Sequence, residues 1–249
     1  WFSSGQWPLV TLKNDEFKTR FPTDVLGTLS DILTFWVSRM IMFSLYLKKE
    51  VPFKDVYLWS MVADAKGVKM SKSKGNVVNP IELVDKYGAD ALRMTLLHGT
   101  AAGSAIALSE DKVRGMRNFS NKIWNAARYI NLKSQNSKVK TTTQNSKPDK
   151  EFYQRLSQIV SQVTKYLNDY RIGLAAETVY NEFWHWFCDE AIEKNKTGEL
   201  GDKATFHGLI VFLKLLHPFI PFVTEAVWEE IKPLRKYPDQ MLINSQWPK

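Results

Sequence analysis

Residues 66–76 have the types and spacing that could do chemistry, with four lysines and two serines placed around Gly67 and Gly75. Glycine lets a backbone move and close around a ligand, and lysine ammonium groups are mobile point charges that suit phosphates. Such a loop could offset the charge that develops as pyrophosphate leaves a triphosphate, without a covalent step by the protein. The alternative is a solvated basic turn, which the residue types alone favour.

The elements around this loop predict a fragment of an α/β sheet. Short apolar runs predict strands at residues 24–29 and 53–63, and a largely buried helix at residues 31–47. After the loop, Asn79 is placed to cap a helix that begins with proline and carries a glutamate for a capping box. Gly88 is placed to end that helix. Strand, helix, strand, loop and helix follow one another over residues 1–108.

From Ser109 onward the pattern becomes helical, and it predicts a helix bundle over residues 109–240 with an extension at 241–249. Ser109 is a candidate N-cap. One apolar stripe follows at spacings of three and four, formed by Val113, Met116, Phe119, Ile123, Ala127 and Ile130. A polar stretch at residues 131–150 predicts a solvated connection. Further helices are predicted at residues 152–167, 174–194, 203–216 and 222–232.

Composition bounds the class of protein. The 249 residues are 44% hydrophobic, which suffices for one large or two modest cores. The net charge of +8 is compatible with a polyanionic partner such as nucleic acid, and also with an ordinary basic protein. The single cysteine, Cys188, excludes an intramolecular disulfide and fits a reducing cytoplasm. The four histidines lack metal-ligand spacing, so no metal site is predicted, and no apolar run is long enough for a membrane span.

The run Lys69-Met70-Ser71-Lys72-Ser73 matches the KMSKS signature of the class I aminoacyl-tRNA synthetases at all five positions, and Lys74-Gly75-Asn76 and Asn79-Pro80 fit as well. Two further segments resemble the valine branch of that family, Trp1-Phe2-Ser3-Ser4-Gly5 and Phe35-Trp36-Val37. The isoleucine and leucine branches usually differ there and are the alternatives within the family. Similar segments recur over nearly the whole chain, up to Leu216-His217-Pro218-Phe219.

The resemblance implies the C-terminal half of a Rossmann-like catalytic domain followed by an anticodon-binding bundle. It implies a monomeric, cytoplasmic enzyme that uses ATP with Mg²⁺, L-valine and tRNA(Val), without a protein-bound metal or a membrane. Lys69 and Lys72 would be the catalytic lysines. The ATP-binding residues carried over from the family are Lys69, Met70, Ser71, Lys72, Ser73 and Asp31.

Two other groups of residues are carried over in the same way. Trp1 and Trp36 would wall the valine pocket, where two rigid indoles form an apolar slot, although core packing is the alternative for each. Such a slot excludes larger side chains but discriminates poorly against threonine, which explains the editing domain usual in the family. The expected tRNA-binding residues, for which a solvated helix face is the alternative, are Arg114, Arg117, Asn118, Lys122, Asn125 and Arg128.

The sequence also departs from the family. The first family signature, of the HIGH type, is expected upstream of Trp1, so these residues alone are not expected to form an adenylate. Leu29 stands where the family usually has a glycine, and would crowd a nucleotide. Trp59-Ser60 stands where the family usually has His-Gly. These departures leave two alternatives open, a non-catalytic tRNA-binding module and a generic phosphate-binding protein.

Overall fold

The computed structural model describes residues 1–64, 66–71, 73, 75–136, 146–234 and 240–249. The chain divides into two compact units, each built from two stretches of sequence. The first unit contains Trp1–Ala63 and Ala101–Ile106, and the second contains Asp64–Thr100 and Ala107–Lys249. The domain boundary near residue 108 and the extension at 241–249 stay predictions.

The first unit is built around a parallel strand pair. Three short helices come first, α1 (Phe2–Gly5), α2 (Trp7–Val10) and α3 (Asn14–Arg20). Strand β1 (Thr23–Thr28) then pairs with β2 (Phe53–Leu58), and between them lie a 3₁₀ turn (Ser30–Ile32), a π-helical segment (Leu33–Val37) and α4 (Ser38–Lys48). The register runs from Thr23 opposite Phe53 to Thr28 opposite Leu58. Helical residues that cross between parallel strands confirm the predicted α/β class.

Two predictions for this unit are wrong in part. The helix at residues 31–47 forms, but it is not largely buried. Its residues Val37 and Met40 pack with Phe53 of the second strand in a small buried cluster. Phe35 is therefore 65% exposed and Tyr46 76% exposed. The single strand predicted at residues 53–63 ends at Leu58, and the chain changes partner before β3 (Met61–Ala63), which pairs with β4 (Ala105–Ala107).

The second unit is mostly helical, and its part from Ser109 onward was predicted to be so. Its helices are α5 (Pro80–Tyr87), α6 (Ala89–Leu97), α7 (Glu110–Asn136), α8 (Lys147–Asn168), α9 (Ile172–Asn181), α10 (Ile192–Thr197), α11 (Asp202–Leu216) and α12 (Pro221–Glu230). A π-helical segment (Glu182–Ala191) joins α9 to α10, and 3₁₀ turns lie at Lys232–Leu234 and Leu242–Asn244. The predicted cap of α5 is confirmed, since the Asn79 side chain accepts a hydrogen bond from the Ile81 amide at 3.0 Å.

The predicted connection at residues 131–150 is wrong at both ends. Helix α7 continues to Asn136 because its face stays packed, with Ile130 and Asn131 both buried. Helix α8 begins at Lys147 because the Ser146 hydroxyl accepts a hydrogen bond from the Asp149 amide at 3.2 Å and caps it. Helix α6, which follows Gly88, has no counterpart among the predicted elements.

The core of the helical unit confirms the apolar stripe of α7. Phe119 and Ile123 are fully buried there, against the dense aromatic segment that contains Phe183 and Phe187. Burial of this apolar surface is the main force that holds the helices together. Cys188 lies in the same core, as predicted for a small hydrophobic residue. Trp184 is only partly buried.

Candidate functional site

The loop at residues 64–76 starts with a turn that is closed by Asp64. One carboxylate oxygen of Asp64, Oδ1, accepts hydrogen bonds from the backbone amides of Lys66 at 3.0 Å and Val68 at 2.9 Å. The Gly67 amide donates to the Asp64 carbonyl at 2.9 Å. This turn requires glycine, because Gly67 has a φ of 78°, in the left-handed region.

The loop ends on Asn76, which reaches back to its start. The Asn76 side-chain amide Nδ2 donates to the second carboxylate oxygen of Asp64, Oδ2, at 2.9 Å. Its Oδ1 accepts from the Ser71 amide at 3.0 Å, in the middle of the signature run. These hydrogen bonds, first the one from Asn76 and then the one from the Val68 amide, lower the pKa of Asp64. The carboxyl group is therefore ionised at neutral pH.

The signature residues occupy the part of the loop between these anchors. Lys69 and Ser73 are exposed, and Met70 and Ser71 are partly covered. The hydroxyls of Ser71 and Ser73 lie 3.2 Å apart, so one donates to the other. The second predicted catalytic lysine, Lys72, lies outside the described residues. Asp31, the remaining predicted ATP-binding residue, is exposed in the 3₁₀ turn of the first unit.

Both predicted pocket tryptophans lie in the first unit, where α1 contacts the helical residues 33–48. The Trp36 indole Nε1 donates to the Ser4 carbonyl at 3.1 Å. The Trp1 ring stacks on Phe43 with 6.4 Å between centroids, and the Arg39 guanidinium lies 4.9 Å from its centroid. Trp1 is nonetheless 70% exposed. Each of the two indoles is thus held by contacts with neighbouring residues.

The predicted tRNA-binding residues lie on the exposed side of α7. The residues exposed there, opposite the buried stripe, are Arg114, Arg117, Asn118, Asn125 and Arg128. A helix repeats every 3.6 residues, so positions 114, 118, 125 and 128 share one face. This face carries the side chains of Arg114, Asn118, Asn125 and Arg128, and the exposed Arg117 lies beside it, so the face suits a polyanion.

Lys122 is placed differently from the other predicted tRNA-binding residues. Its ammonium group lies 3.0 Å from the Asp189 carboxylate and 5.4 Å from the centroid of the Trp184 ring. These contacts tie α7 to the π-helical segment of the bundle. Arg114 also has an acidic neighbour, since its guanidinium lies 2.7 Å from the exposed Asp111 carboxylate one turn earlier. An exposed pair of this kind contributes little to stability and exchanges partners readily.

A cavity of about 330 Å³ opens between α7 and α12. Its lining combines apolar side chains with polar groups, namely Trp124, Ala127, Arg128, Asn131, Leu132, Val227, Glu230 and Ile231. The Trp124 indole is 41% exposed at this cavity. An exposed indole beside an arginine is a surface on which an unstacked RNA base can stack. One wall of this cavity is formed by α7 itself, but the other comes from residues 227–231, a hundred residues later in the chain, and no local pattern indicates it.

Sequence reasoning also missed Asp64. An aspartate three residues before a glycine is a turn signal, but its bond to Asn76 spans twelve residues and follows from no local pattern. Among the described residues, no group of three or more acidic, histidine or cysteine side chains is arranged to hold a metal ion. The helices of the described part of the chain include none that is long and apolar enough to cross a bilayer.

Comparison with protein families gives two matches. Residues 1–109 match the family of class I tRNA synthetases for isoleucine, leucine, methionine and valine. Residues 149–249 match the anticodon-binding domain of tRNA ligases. The first match contains the signature loop and both predicted pocket tryptophans, and the second contains most of the helical bundle.

Curated relatives extend the similarity to the whole chain. The valine–tRNA ligase of Clostridium tetani is 40% identical over 264 aligned residues, which cover 100% of this chain and 30% of the relative. The valine–tRNA ligase of Pelagibacter ubique is 45% identical over 248 residues, which cover 92% of this chain and 28% of the relative. The chain therefore spans just under a third of the length of the curated relatives that it matches.

Solved structures share the fold. A ternary complex of Agrobacterium radiobacter LeuRS with tRNA and LeuAMS aligns with a TM-score of 0.82 at 20% identity, over 98% of this chain and 32% of that one. The methionyl-tRNA synthetase of Mycobacterium tuberculosis, in complex with methionyl-adenylate, aligns with a TM-score of 0.71 at 19% identity, over 94% of this chain and 48% of that one. These alignments confirm the predicted combination of a catalytic-domain fragment with a helical domain.

Proposed function

We propose that this chain, which belongs to the class I aminoacyl-tRNA synthetases, is the part of a valine–tRNA ligase that supplies the signature loop and the anticodon-binding bundle. The enzyme would join L-valine to ATP as valyl-adenylate, release pyrophosphate, and then transfer valine to tRNA(Val) with release of AMP. The observation that supports this most is the 40% identity to a valine–tRNA ligase over the full length of the chain.

The loop at residues 64–76 would act on the triphosphate. Lys69 and Lys72 would contact the phosphates of ATP, with Met70 and the serine hydroxyls completing the contact. Attack by the valine carboxylate on the α-phosphate increases negative charge on the departing pyrophosphate, and positioned ammonium groups stabilise that charge. Mg²⁺ would arrive bound to the phosphates of ATP and neutralise part of their charge, since this ion is usually held through substrate phosphates.

The first unit would hold valine and part of the nucleotide. Trp1 and Trp36 would wall an apolar slot for the branched side chain, and Asp31 would contribute to the ATP site. The hydrogen bond from Trp36 to the Ser4 carbonyl supports this role, because it fixes one indole relative to the segment that carries the other. The slot would exclude isoleucine and leucine by size.

The exposed face of α7 would bind tRNA(Val). Arg114, Arg117 and Arg128 would pair with phosphates, while Asn118 and Asn125 would hydrogen-bond to sugar or base edges. Lys122 would contribute less to tRNA binding, because the Asp189 carboxylate already pairs with its ammonium group within the bundle. The cavity beside Trp124 would accept an unstacked base. We further propose that the enzyme works as a monomer in the cytoplasm.

Valine-dependent exchange of pyrophosphate into ATP by the intact gene product tests this proposal. We expect exchange with valine and little with isoleucine or leucine. Replacement of Lys72 or Lys69 by alanine should lower kcat for exchange about 100-fold or more, the effect typical of a lost transition-state contact. Lys18→Ala, an exposed lysine of α3, is the matched control and should leave exchange unchanged.

Two results would contradict the proposal in different ways. Exchange that depends on isoleucine or leucine instead of valine would refute the amino-acid specificity. Binding of tRNA without exchange for any amino acid would favour the alternative of a non-catalytic tRNA-binding module. Absence of tRNA binding at low salt would favour the generic phosphate-binding alternative.

A further inference from the structure

Asp64 and Asn76 form a clasp that joins the two ends of the signature loop. Asp64 accepts three hydrogen bonds, from the Lys66 and Val68 amides and from the Asn76 side chain. Asn76 donates to Asp64 and accepts from the Ser71 amide. The two side chains together therefore fix both ends of the loop and one point in its middle.

The clasp matters because the described residues of this loop are largely open to solvent. Lys66, Val68, Lys69 and Ser73 are all exposed, so few apolar contacts order this stretch. Gly75, like Gly67, adopts a positive φ and would allow many other backbone conformations in the absence of a restraint. Each residue that is free to move must be ordered before a lysine can meet a phosphate, at an entropic cost.

The residue types of the clasp follow from these roles. Three N–H groups of the described residues donate to the Asp64 carboxylate, a role that an ionised carboxylate suits best. The position of Asn76 must donate in one direction and accept in the other, which an amide does and a carboxylate cannot do at neutral pH. Aspartate also places a negative charge in a basic loop, beside Lys66, which reduces the attraction of the loop for a triphosphate.

We infer that Asp64 and Asn76 are positioning residues of the adenylation reaction, which act by holding the signature loop in the geometry that presents its lysines and serines to the triphosphate. The inference rests on the proposed function and adds two residues outside the Lys69–Ser73 run. Neither residue needs to touch ATP, since both act through the backbone of the loop. Their effect falls on the rate of the chemical step more than on the affinity for valine.

A swap of the two side chains tests this directly. In Asp64→Asn, the NH₂ group of the introduced amide would face the NH₂ group of Asn76. In Asn76→Asp, two carboxylates would face each other, so each single change removes the central hydrogen bond of the clasp. The double variant Asp64→Asn/Asn76→Asp restores it with the direction of the central hydrogen bond reversed. In that variant the introduced amide oxygen still accepts from the Lys66 and Val68 amides, and the introduced carboxylate still accepts from the Ser71 amide. Among the contacts of the described residues, the double variant loses the longer one from Asn76 Nδ2 to the Lys69 carbonyl, at 3.4 Å.

Two readouts on the intact gene product separate positioning from simple folding. The first is hydrogen exchange at the amides of Val68 and Ser71, which donate to the clasp. The second is pyrophosphate exchange, resolved into kcat and the KM for valine. We expect each single variant to speed amide exchange and to lower kcat about 10- to 100-fold, with the KM for valine nearly unchanged. The double variant should recover to within about threefold of wild type in both readouts. Asp85→Asn, which removes an exposed carboxylate from α5, should match wild type.

Other results would contradict either the positioning role of Asp64 and Asn76 or the proposed function. If the wild type is active and both single variants keep its kcat, the inference fails. It also fails if the double variant is as slow as the product of the two single effects, because the residues then act independently. If the wild type shows no valine-dependent exchange, the proposed function fails, and amide protection alone decides whether the clasp orders the loop.

Discussion

Gly173, the second residue of α9, is packed directly against the backbone of Thr100. A β-carbon built on Gly173 would lie 1.9 Å from the Thr100 carbonyl oxygen and 2.8 Å from its carbonyl carbon and amide nitrogen. Ordinary contact begins near 3.4 Å, so Gly173→Ala requires a shift of about 1.5 Å between two backbone segments. No side-chain rotation can supply that shift, because all three atoms belong to the main chain.

The sign of the change in stability on Gly173→Ala shows whether the close packing or the helix propensity of alanine dominates. Alanine in place of glycine normally stabilises a helix by about 0.5–1 kcal/mol, whereas overpacking of a rigid site costs about 1–3 kcal/mol. With backbone on both sides, we take the upper end of that range, about 3 kcal/mol, and subtract a helix gain of about 1 kcal/mol, so Gly173→Ala should destabilise the chain by about 2 kcal/mol. At a typical urea dependence this lowers the denaturation midpoint by about 1 M.

Urea denaturation followed by far-UV circular dichroism measures this effect, with Gly115→Ala as the matched control. A β-carbon at Gly115, in α7, meets nothing within 4 Å, so this variant should be as stable as wild type or more stable by up to about 1 kcal/mol. If Gly173→Ala and Gly115→Ala shift the midpoint in the same direction by similar amounts, the close approach to Thr100 is refuted.

Three further predictions follow from the helical unit. Burial lowers the pKa of His98, so the folded state favours the neutral ring, and the free energy of unfolding should fall as pH drops below about 6.5. The variant His98→Gln should reduce this dependence on pH, which denaturation series at pH 5–7 would measure. Burial raises the pKa of Cys188 to about 12, so its thiol should react with a disulfide reagent only after denaturation, and fast reaction of the folded chain would contradict its burial. The double variant Arg117→Gln/Arg128→Gln should reduce the slope of log affinity for tRNA against log salt concentration by about 1.5. The control is Arg155→Gln, which should leave the slope unchanged because Arg155 is paired with Glu182.

Features that depend on neighbouring residues could be predicted from the sequence. The cap of α5 needed only Asn79 and Pro80, and the Asn79 side chain accepts a hydrogen bond from the Ile81 amide as expected of an N-cap. The expected capping box is replaced by a side-chain contact, in which Glu82 accepts from the Asn79 side-chain amide at 3.1 Å. The stripe of α7 needed only the helical period, and it lies in the core. The exposed basic face follows from the same period. Local chemistry therefore fixed the elements that carry the candidate site.

Features that depend on distant partners could not be predicted. The break between β2 and β3 is set by Ser60, whose hydroxyl donates to the Ala101 carbonyl at 2.9 Å, and by Met61, whose amide donates to the Ser104 carbonyl. Lys122 is drawn into the bundle by Asp189, 67 residues later. In each case the deciding atom is far along the chain.

Trp59 and Leu29, two of the departures from the family, have different physical consequences. The Trp59 indole lies against Gly27 of β1, where a β-carbon would come within 2.5 Å of its Nε1 atom, so the bulk of tryptophan is accommodated by the absence of a side chain opposite. Tyr57 adds an edge contact at 4.8 Å, and Ser60 is fixed by its bond to Ala101. Leu29 has an ordinary extended backbone, with φ −100° and ψ 151°, so the main chain there does not require glycine. The difference from glycine at that position is therefore the volume of the leucine side chain. This side chain follows the carboxyl end of β1, and parallel sheets bind their ligands beside the carboxyl ends of the strands. Under the proposed function, the departure at Leu29 would therefore affect ATP binding through side-chain volume and not through backbone conformation.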